Sequence, residues 1–233
     1  VRMTGSCVKS TARRYLTKSL FKKACSCPHK LVYSLDPQKY PVKEERGTLM
    51  KSLADDGRKI GAYSRLLYPN GVAIGEQRPG HKNSTFLTGR HDNLDALVEE
   101  TRSLLNDNSE ITIFEGAVRS GPYLIRADIL TKSSDTNNEL HLMEVKAKSW
   151  DSRKDQNETL LGKRGKSIQA NYRPYIQDVA FQKMVVQQAF PEYKVTAWLV
   201  MPDKAKTNSQ IPNLNTLFQK SEVDFDLDEK SRE

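Results

Sequence analysis

Polar and apolar positions divide the chain into a helical first half and a strand-rich second half. A helix is predicted from Thr17, with Thr17 or Ser19 as its cap, to Cys25, and Pro28 stops or bends it. Leu31 to Leu35 is a short apolar run, and Asp36-Pro37 marks a turn. Between Lys43 and Leu67 the spacing of Leu49, Leu53, Ile60, Tyr63 and Leu67 predicts a long helix, weakened at Gly57 and Gly61. Tyr68-Pro69-Asn70-Gly71 reads as a loop, and residues 76–90 as an exposed polar one. Leu94, Leu97, Val98, Thr101 and Leu105 form one face of an amphipathic helix over Asn93 to Leu105.

The period then shortens. Glu110 to Val118, Tyr123 to Thr131 and Glu139 to Lys148 are rich in strand formers, and turn formers separate them at Ser120-Gly121-Pro122 and over Lys132 to Asn138. They predict a three-stranded antiparallel meander. Ser149 to Asn171 is a charged, aperiodic loop. Pro174 to Phe190 is a helix, and Lys194 to Met201 a strand beside it with Trp198 in the core. Helices, three strands, a helix and a strand give an α/β architecture, a mixed sheet flanked by helices.

Composition adds bounds. With 233 residues, 37% of them hydrophobic, the chain can bury a core. No run approaches the roughly 20 apolar residues of a membrane span. The balance of 37 Lys+Arg against 29 Asp+Glu, net +8, fits a polyanionic partner. The excess is uneven: residues 1–30 hold eight Lys/Arg and no acid, while Glu222 to Glu233 is mostly acidic. Residues 1–16 are therefore read as a basic arm or organellar leader. Residues 17–220 are read as the domain, and 221–233 as an acidic tail or a linker to a further domain. An odd number of cysteines (Cys7, Cys25, Cys27) without an apolar signal segment argues for a reducing compartment. That compartment is the cytoplasm or, from the basic, acid-free start, a mitochondrion or other organelle.

The chemistry concentrates in Arg126-Ala127-Asp128-Ile129-Leu130 and Leu142-Met143-Glu144-Val145-Lys146. Side chains alternate along a strand, so Glu144 and Lys146 share a face opposite that of Met143 and Val145. A hairpin centred near Thr136 sets Asp128 opposite Glu144, about 5 Å away at Cβ. Two carboxylates and an ammonium then meet on one patch, and the sheet's other face is expected to be apolar. Carboxylates so close repel unless one is protonated or a cation joins them, and hard oxygen ligands suit Mg²⁺ or Mn²⁺. Glu115 on the preceding strand is a third candidate ligand. This is a kit for metal-assisted phosphodiester hydrolysis. The competing reading is an exposed ion pair, worth little. Against it, both acids stand inside otherwise apolar runs.

The hairpin Asp-(x)n-Glu-x-Lys resembles the core of the PD-(D/E)XK nuclease superfamily, in particular its RecB-like branch. The likeness extends over roughly residues 17–220. It takes in Lys18-Ser19-Leu20-Phe21-Lys22 with Cys27-Pro28 and Leu31, then Gly57-Arg58-Lys59-Ile60-Gly61 before Tyr68-Pro69-Asn70-Gly71. It continues through Thr112-Ile113-Phe114-Glu115-Gly116-Ala117 and Gln177-Asp178-Val179-Ala180-Phe181-Gln182. The resemblance implies a restriction-endonuclease-like fold and a Mg²⁺- or Mn²⁺-dependent nuclease acting on DNA ends or single strands, with RNA not excluded. It implies that Asp128, Glu144 and the Val145 carbonyl hold the metal, that Lys146 is the catalytic lysine, and that Glu115 assists through a water. Gln182, with Tyr172 or Tyr175 near it in sequence, matches a helix motif that approaches the scissile phosphate. Two departures stand out. The stretch Gly57 to Ser64 lacks the metal-binding His of many relatives, which leaves fewer protein ligands. No cysteine follows Cys27, so the four-thiolate iron–sulfur cluster of some relatives cannot be built within this chain.

Tyr172, Arg173, Tyr175 and Lys148 form an aromatic–cationic group able to stack on bases and touch phosphates, the alternative being that the two tyrosines near a helix start are core or capping contacts. Arg13, Arg14, Lys18, Lys22, Lys23 and Lys30 are read as a nucleic-acid track or a solvated basic face. Cys25, Cys27 and His29 lack a fourth zinc ligand, and Cys27 is read as packed. Gly162-Lys163-Arg164-Gly165-Lys166-Ser167 is no phosphate-binding loop, because Leu160 stands where the first glycine is needed. The rival function is a non-catalytic nucleic-acid-binding or scaffold module.

Overall fold

The computed structural model describes residues 15–41, 48–75, 94–134, 138–154, 160–161 and 167–206, with backbone alone for 48–51. The expectations for the basic arm, the polar loop at 76–90, the glycine-lysine segment at 162–166 and the acidic tail lie outside them. The predicted meander is present. Strands β3 (Ile111–Ser120), β4 (Tyr123–Lys132) and β5 (Glu139–Val145) pair antiparallel in sequence order. Gly121 turns the first hairpin at φ 52°, a left-handed value that glycine adopts without strain. β6 (Lys194–Val200) joins β5 in parallel along its whole length, Glu139↔Lys194 to Val145↔Val200. A parallel pair needs a crossover, and helix α5 (Arg173–Ala189) lies within it.

Two short strands complete a six-stranded mixed sheet and were not legible in the pattern. β1 (Leu16–Thr17) lies parallel to β4 at Tyr123 and Leu124, and β2 (Val72–Ala73) lies parallel to β3 at Ile113 and Phe114. Two residues are too few to show alternation. β1 runs directly into α1 (Lys18–Ser26), which Thr17 caps by accepting a hydrogen bond from the Leu20 N–H. Pro28 ends this helix and opens α2 (Pro28–Ser34), where a missing N–H costs nothing. Phe21 of α1 stacks on Phe181 of α5 at 4.3 Å, and Tyr123 meets the same ring edge-on. Thus α1 is fixed both by sheet pairing and by an aromatic contact.

α4 (Leu94–Asp107) buries Leu97, Val98, Thr101 and Leu105, as its periodicity predicts. The Thr101 hydroxyl donates to the Leu97 carbonyl and accepts the Ala117 N–H at 3.0 Å, which satisfies a β3 backbone donor. The core runs from Leu97, Ile113 and Leu130 through Leu142 to Val185 and Val195.

The long helix predicted between Lys43 and Leu67 is present as α3 (Thr48–Arg65), but its apolar spacing does not mark a buried face. Leu53, Tyr63 and Leu67 are exposed, whereas Ser64 is buried and Ile60 half-buried. The helix turns Gly57 and Gly61 toward the sheet end, where a cleft lies between them, and its larger apolar residues point away. Trp198 is also exposed, at 52%. It lies on the end strand of the sheet and donates from Nε1 to His141 Nδ1 at 3.1 Å. No described helix is long and apolar enough to cross a membrane.

Gly71 packs against the Phe114 ring so closely that an added Cβ would overlap two ring atoms. Gly71→Ala should destabilise the protein by about 1–3 kcal/mol, read as a lower denaturation midpoint with unchanged slope.

Candidate active site

The β4–β5 register pairs Ile129 with Met143 and Leu130 with Leu142, so its next step sets Asp128 against Glu144, as the hairpin centre predicted. The Val145 N–H donates to Asp128 Oδ2 at 2.8 Å and fixes that carboxylate. One expectation is reversed. Glu144 does not stand on a face opposite the apolar one. It follows Leu140 and Leu142 in the same buried alternation, while His141 and Met143 on the other side are half-buried. The acid is wholly inaccessible, at 0% exposure.

A carboxylate buried beside leucines must be compensated. Three groups do this. Lys18 Nζ, from the first residue of α1, contacts Glu144 Oε1 at 2.9 Å and Oε2 at 2.8 Å, and Asp128 Oδ1 at 3.6 Å. Lys146 Nζ bonds Glu144 Oε1 from two residues along the chain. Gln182 Nε2, from α5, donates to Glu144 Oε2 at 2.7 Å and to Asp178 Oδ1 at 3.1 Å. Two carboxylates face this one nitrogen, so the amide must present its NH₂ there. Asp178 is itself fully buried, and Lys146 at 3.3 Å and Lys22 at 3.6 Å balance it. Three acids and three lysines therefore interlock.

The structure thus brings together Asp128, Glu144, Lys146 and Gln182, all predicted, and adds Lys18, Lys22 and Asp178. Lys18 and Lys22 had been read as an outward basic track, but both turn inward to acids. Glu115 borders the same cleft but pairs with arginines. It takes a left-handed backbone, φ 56°, and makes no ladder pair between Phe114↔Ile129 and Gly116↔Ala127. Its carboxylate lies 3.6 Å from both Arg65 and Arg126.

All these elements border one cleft of about 640 Å³. Lys18, Glu115, Asp128, Glu144, Val145 and Lys146 form one wall. Gly57, Arg58, Gly61 and Arg65 of α3 form the other, and a Cβ added at either glycine would meet nothing within 4 Å. Tyr172, Arg173, Tyr175 and Lys148 do not line it. Tyr172 is buried against Trp150, and Lys148 Nζ covers the Tyr172 ring at 4.3 Å and the Tyr175 ring at 5.7 Å. Only Arg173 of this group is largely exposed. Cys27 is half-buried, its Sγ 4.0 Å from His29 Nδ1.

The two paired acids differ. Burial, reinforced by the neighbouring Glu144 charge, raises Asp128 to about 6. Burial opposes ionisation of Glu144 too, but Lys18 and Lys146 overcome it and hold that group down to about 2. The donor chemistry suits a hard cation: one ammonium touches both carboxylates at once, so one cation position lies within reach of both. Among the described residues, however, no group of three or more His, Cys, Asp or Glu side chains could hold a metal. A divalent ion here would depend on Asp128, Glu144 and backbone or solvent oxygens.

A carboxyl raised on folding favours the folded state at low pH, and that advantage fades as pH rises from its ordinary 3.8 to about 6. Asp128→Asn removes this dependence. Thermal unfolding followed from pH 4 to 7 should show the variant gaining on the wild type by about 2–3 kcal/mol across that range. Glu144 has the opposite sign: its stabilisation is full above its ordinary 4.5 and is lost toward about 2. No family model, curated protein or solved structure matches the chain, so the geometry of this cleft carries the functional reading.

Proposed function

We propose that the protein is a metal-dependent nuclease that hydrolyses phosphodiester bonds of DNA, at ends or in single strands, on a restriction-endonuclease-like fold. One observation carries the reading: Asp128 and Glu144 converge on a single cation position in an open cleft, with the Lys146 ammonium beside Glu144. The mixed α/β sheet and the sequence likeness to RecB-like nucleases support it. Asp128, Glu144 and the Val145 carbonyl would hold Mg²⁺ or Mn²⁺. When bound, such an ion supplies Lewis-acid polarisation of a phosphodiester oxygen and lowers the pKa of a water.

The chain's own groups do the rest. Lys146 neutralises charge developing on the phosphate, and Asp178 holds its ammonium in place at 3.3 Å. Gln182 keeps Glu144 oriented. Arg58, paired with Asp55, and Arg65, paired with Glu115, stand on the α3 wall, where a phosphate chain would pass and compete with those acids. The absence of side chains at Gly57 and Gly61 lets that chain approach the helix backbone. Hydrolysis is direct, with no covalent enzyme intermediate.

A second reading draws on Lys18, whose ammonium already satisfies both carboxylates. In a non-catalytic nucleic-acid-binding module this lysine would stand permanently in place of an ion. Salt-dependent retardation of DNA on a gel without cutting, in Mg²⁺ or Mn²⁺, would favour it.

Lys146→Ala leaves Glu144 paired to Lys18 and Gln182, so the fold should survive, as judged by circular dichroism. Degradation of single-stranded or linear DNA with Mn²⁺ should fall by about 10²-fold or more, and EDTA should abolish it in the wild type. Undiminished cleavage by the variant would overturn the assignment.

A further inference from the structure

We infer that Lys18 is a resident cation of the cleft and that a divalent ion and its ammonium exclude one another, so that ion binding releases the start of α1. This rests on the metal-dependent reading above. Lys18 Nζ contacts both oxygens of Glu144, at 2.9 and 2.8 Å, and one of Asp128, at 3.6 Å. It thus spans the two groups that would ligate the ion. Positive charges cannot share that space, because an ion within ligating distance of both carboxylates lies against the ammonium.

Lys18 is also built into its place. It is the first residue of α1, and its neighbour Thr17 is both the helix cap and the last residue of β1. The Leu16 N–H donates to the Pro122 carbonyl at 2.8 Å, and β1 holds β4 through only two residue pairs. This sheet anchor is short, and beyond it α1 is held by the stack of Phe21 on Phe181, three residues past the lysine. Lys146 differs. It continues β5, its N–H donates to the Val200 carbonyl, and its ammonium is shared with Asp178. With Lys18 displaced, Glu144 keeps Lys146 and Gln182, and the acids stay compensated by the incoming ion.

The test is Mn²⁺ binding to the intact protein without nucleic acid, read by electron paramagnetic resonance or calorimetry. Lys18→Met should tighten Mn²⁺ binding roughly tenfold or more, since the competing charge is gone. In the wild type, Mn²⁺ should raise amide hydrogen exchange over residues 16–26 and nowhere else to the same degree. This second measurement decides the matter if Lys18→Met does not fold. Unchanged or weaker Mn²⁺ binding in the variant, or wild-type binding with no loss of protection over 16–26, overturns the inference. If Asp128→Asn abolishes that binding, the metal reading still stands. If neither wild type nor Lys18→Met binds Mn²⁺, the metal reading fails and this inference falls with it.

Discussion

The burial of one carboxylate governs the arrangement of this protein's cleft. Glu144 follows Leu140 and Leu142 along β5 into a layer that excludes water. An ionised acid there costs several kcal/mol unless its oxygens are met by cations and N–H donors. The chain meets that demand from three directions: Lys18 from the start of α1, Lys146 from the end of β5, and Gln182 from the middle of α5. The site is in effect the solvation shell of one side chain, supplied by protein. Asp178 extends the same logic one layer deeper, where Lys22 and Lys146 flank a second fully buried acid.

This compensation separates the chemistry of two acids that sit side by side on neighbouring strands. Asp128, nearer the opening, keeps only a share of Lys18 and one backbone donor, and its ionisation is held up. Glu144 takes the nearer contacts of Lys18 and Lys146 and stays ionised. One group is a fixed anion and the other titrates within a range that living systems reach. Glu115 takes no part in that exchange. Its left-handed backbone turns its carboxylate to Arg65 and Arg126, so it holds guanidinium groups at the cleft wall and does not enlarge the acidic pair.

The strand half of the fold was legible because alternation and turn formers are local signals. The register of Asp128 against Glu144 followed from the midpoint of a short hairpin, and Gln182 from its sequence motif. What was not legible depended on contacts between distant segments. Lys18 and Glu144 are 126 positions apart, and nothing in a basic, acid-free stretch says that one lysine turns inward. The two-residue strands β1 and β2 are too short for any pattern. Trp198 was placed in the core by its apolar neighbours, but it stands on the sheet's last strand, where alternation gives one face to solvent. For Tyr172 sequence leaves base stacking and core packing open, and the structure packs the ring under Trp150 and Lys148. The spacing over α3 reports a helix but not what its apolar stripe meets, and Leu53 and Tyr63 face solvent.

The pairing of β1 with β4 also has an entropic consequence. The meander β3–β4–β5 can form from contacts within some thirty-five residues, whereas docking α1 closes a loop of more than a hundred. The meander is thus local in sequence, whereas the lysine that neutralises its buried acid comes from a distant segment. Docking of the α1 segment therefore carries the largest loop-closure cost of the strand pairings described, and it is this costly contact that brings the Lys18 ammonium to the buried acid.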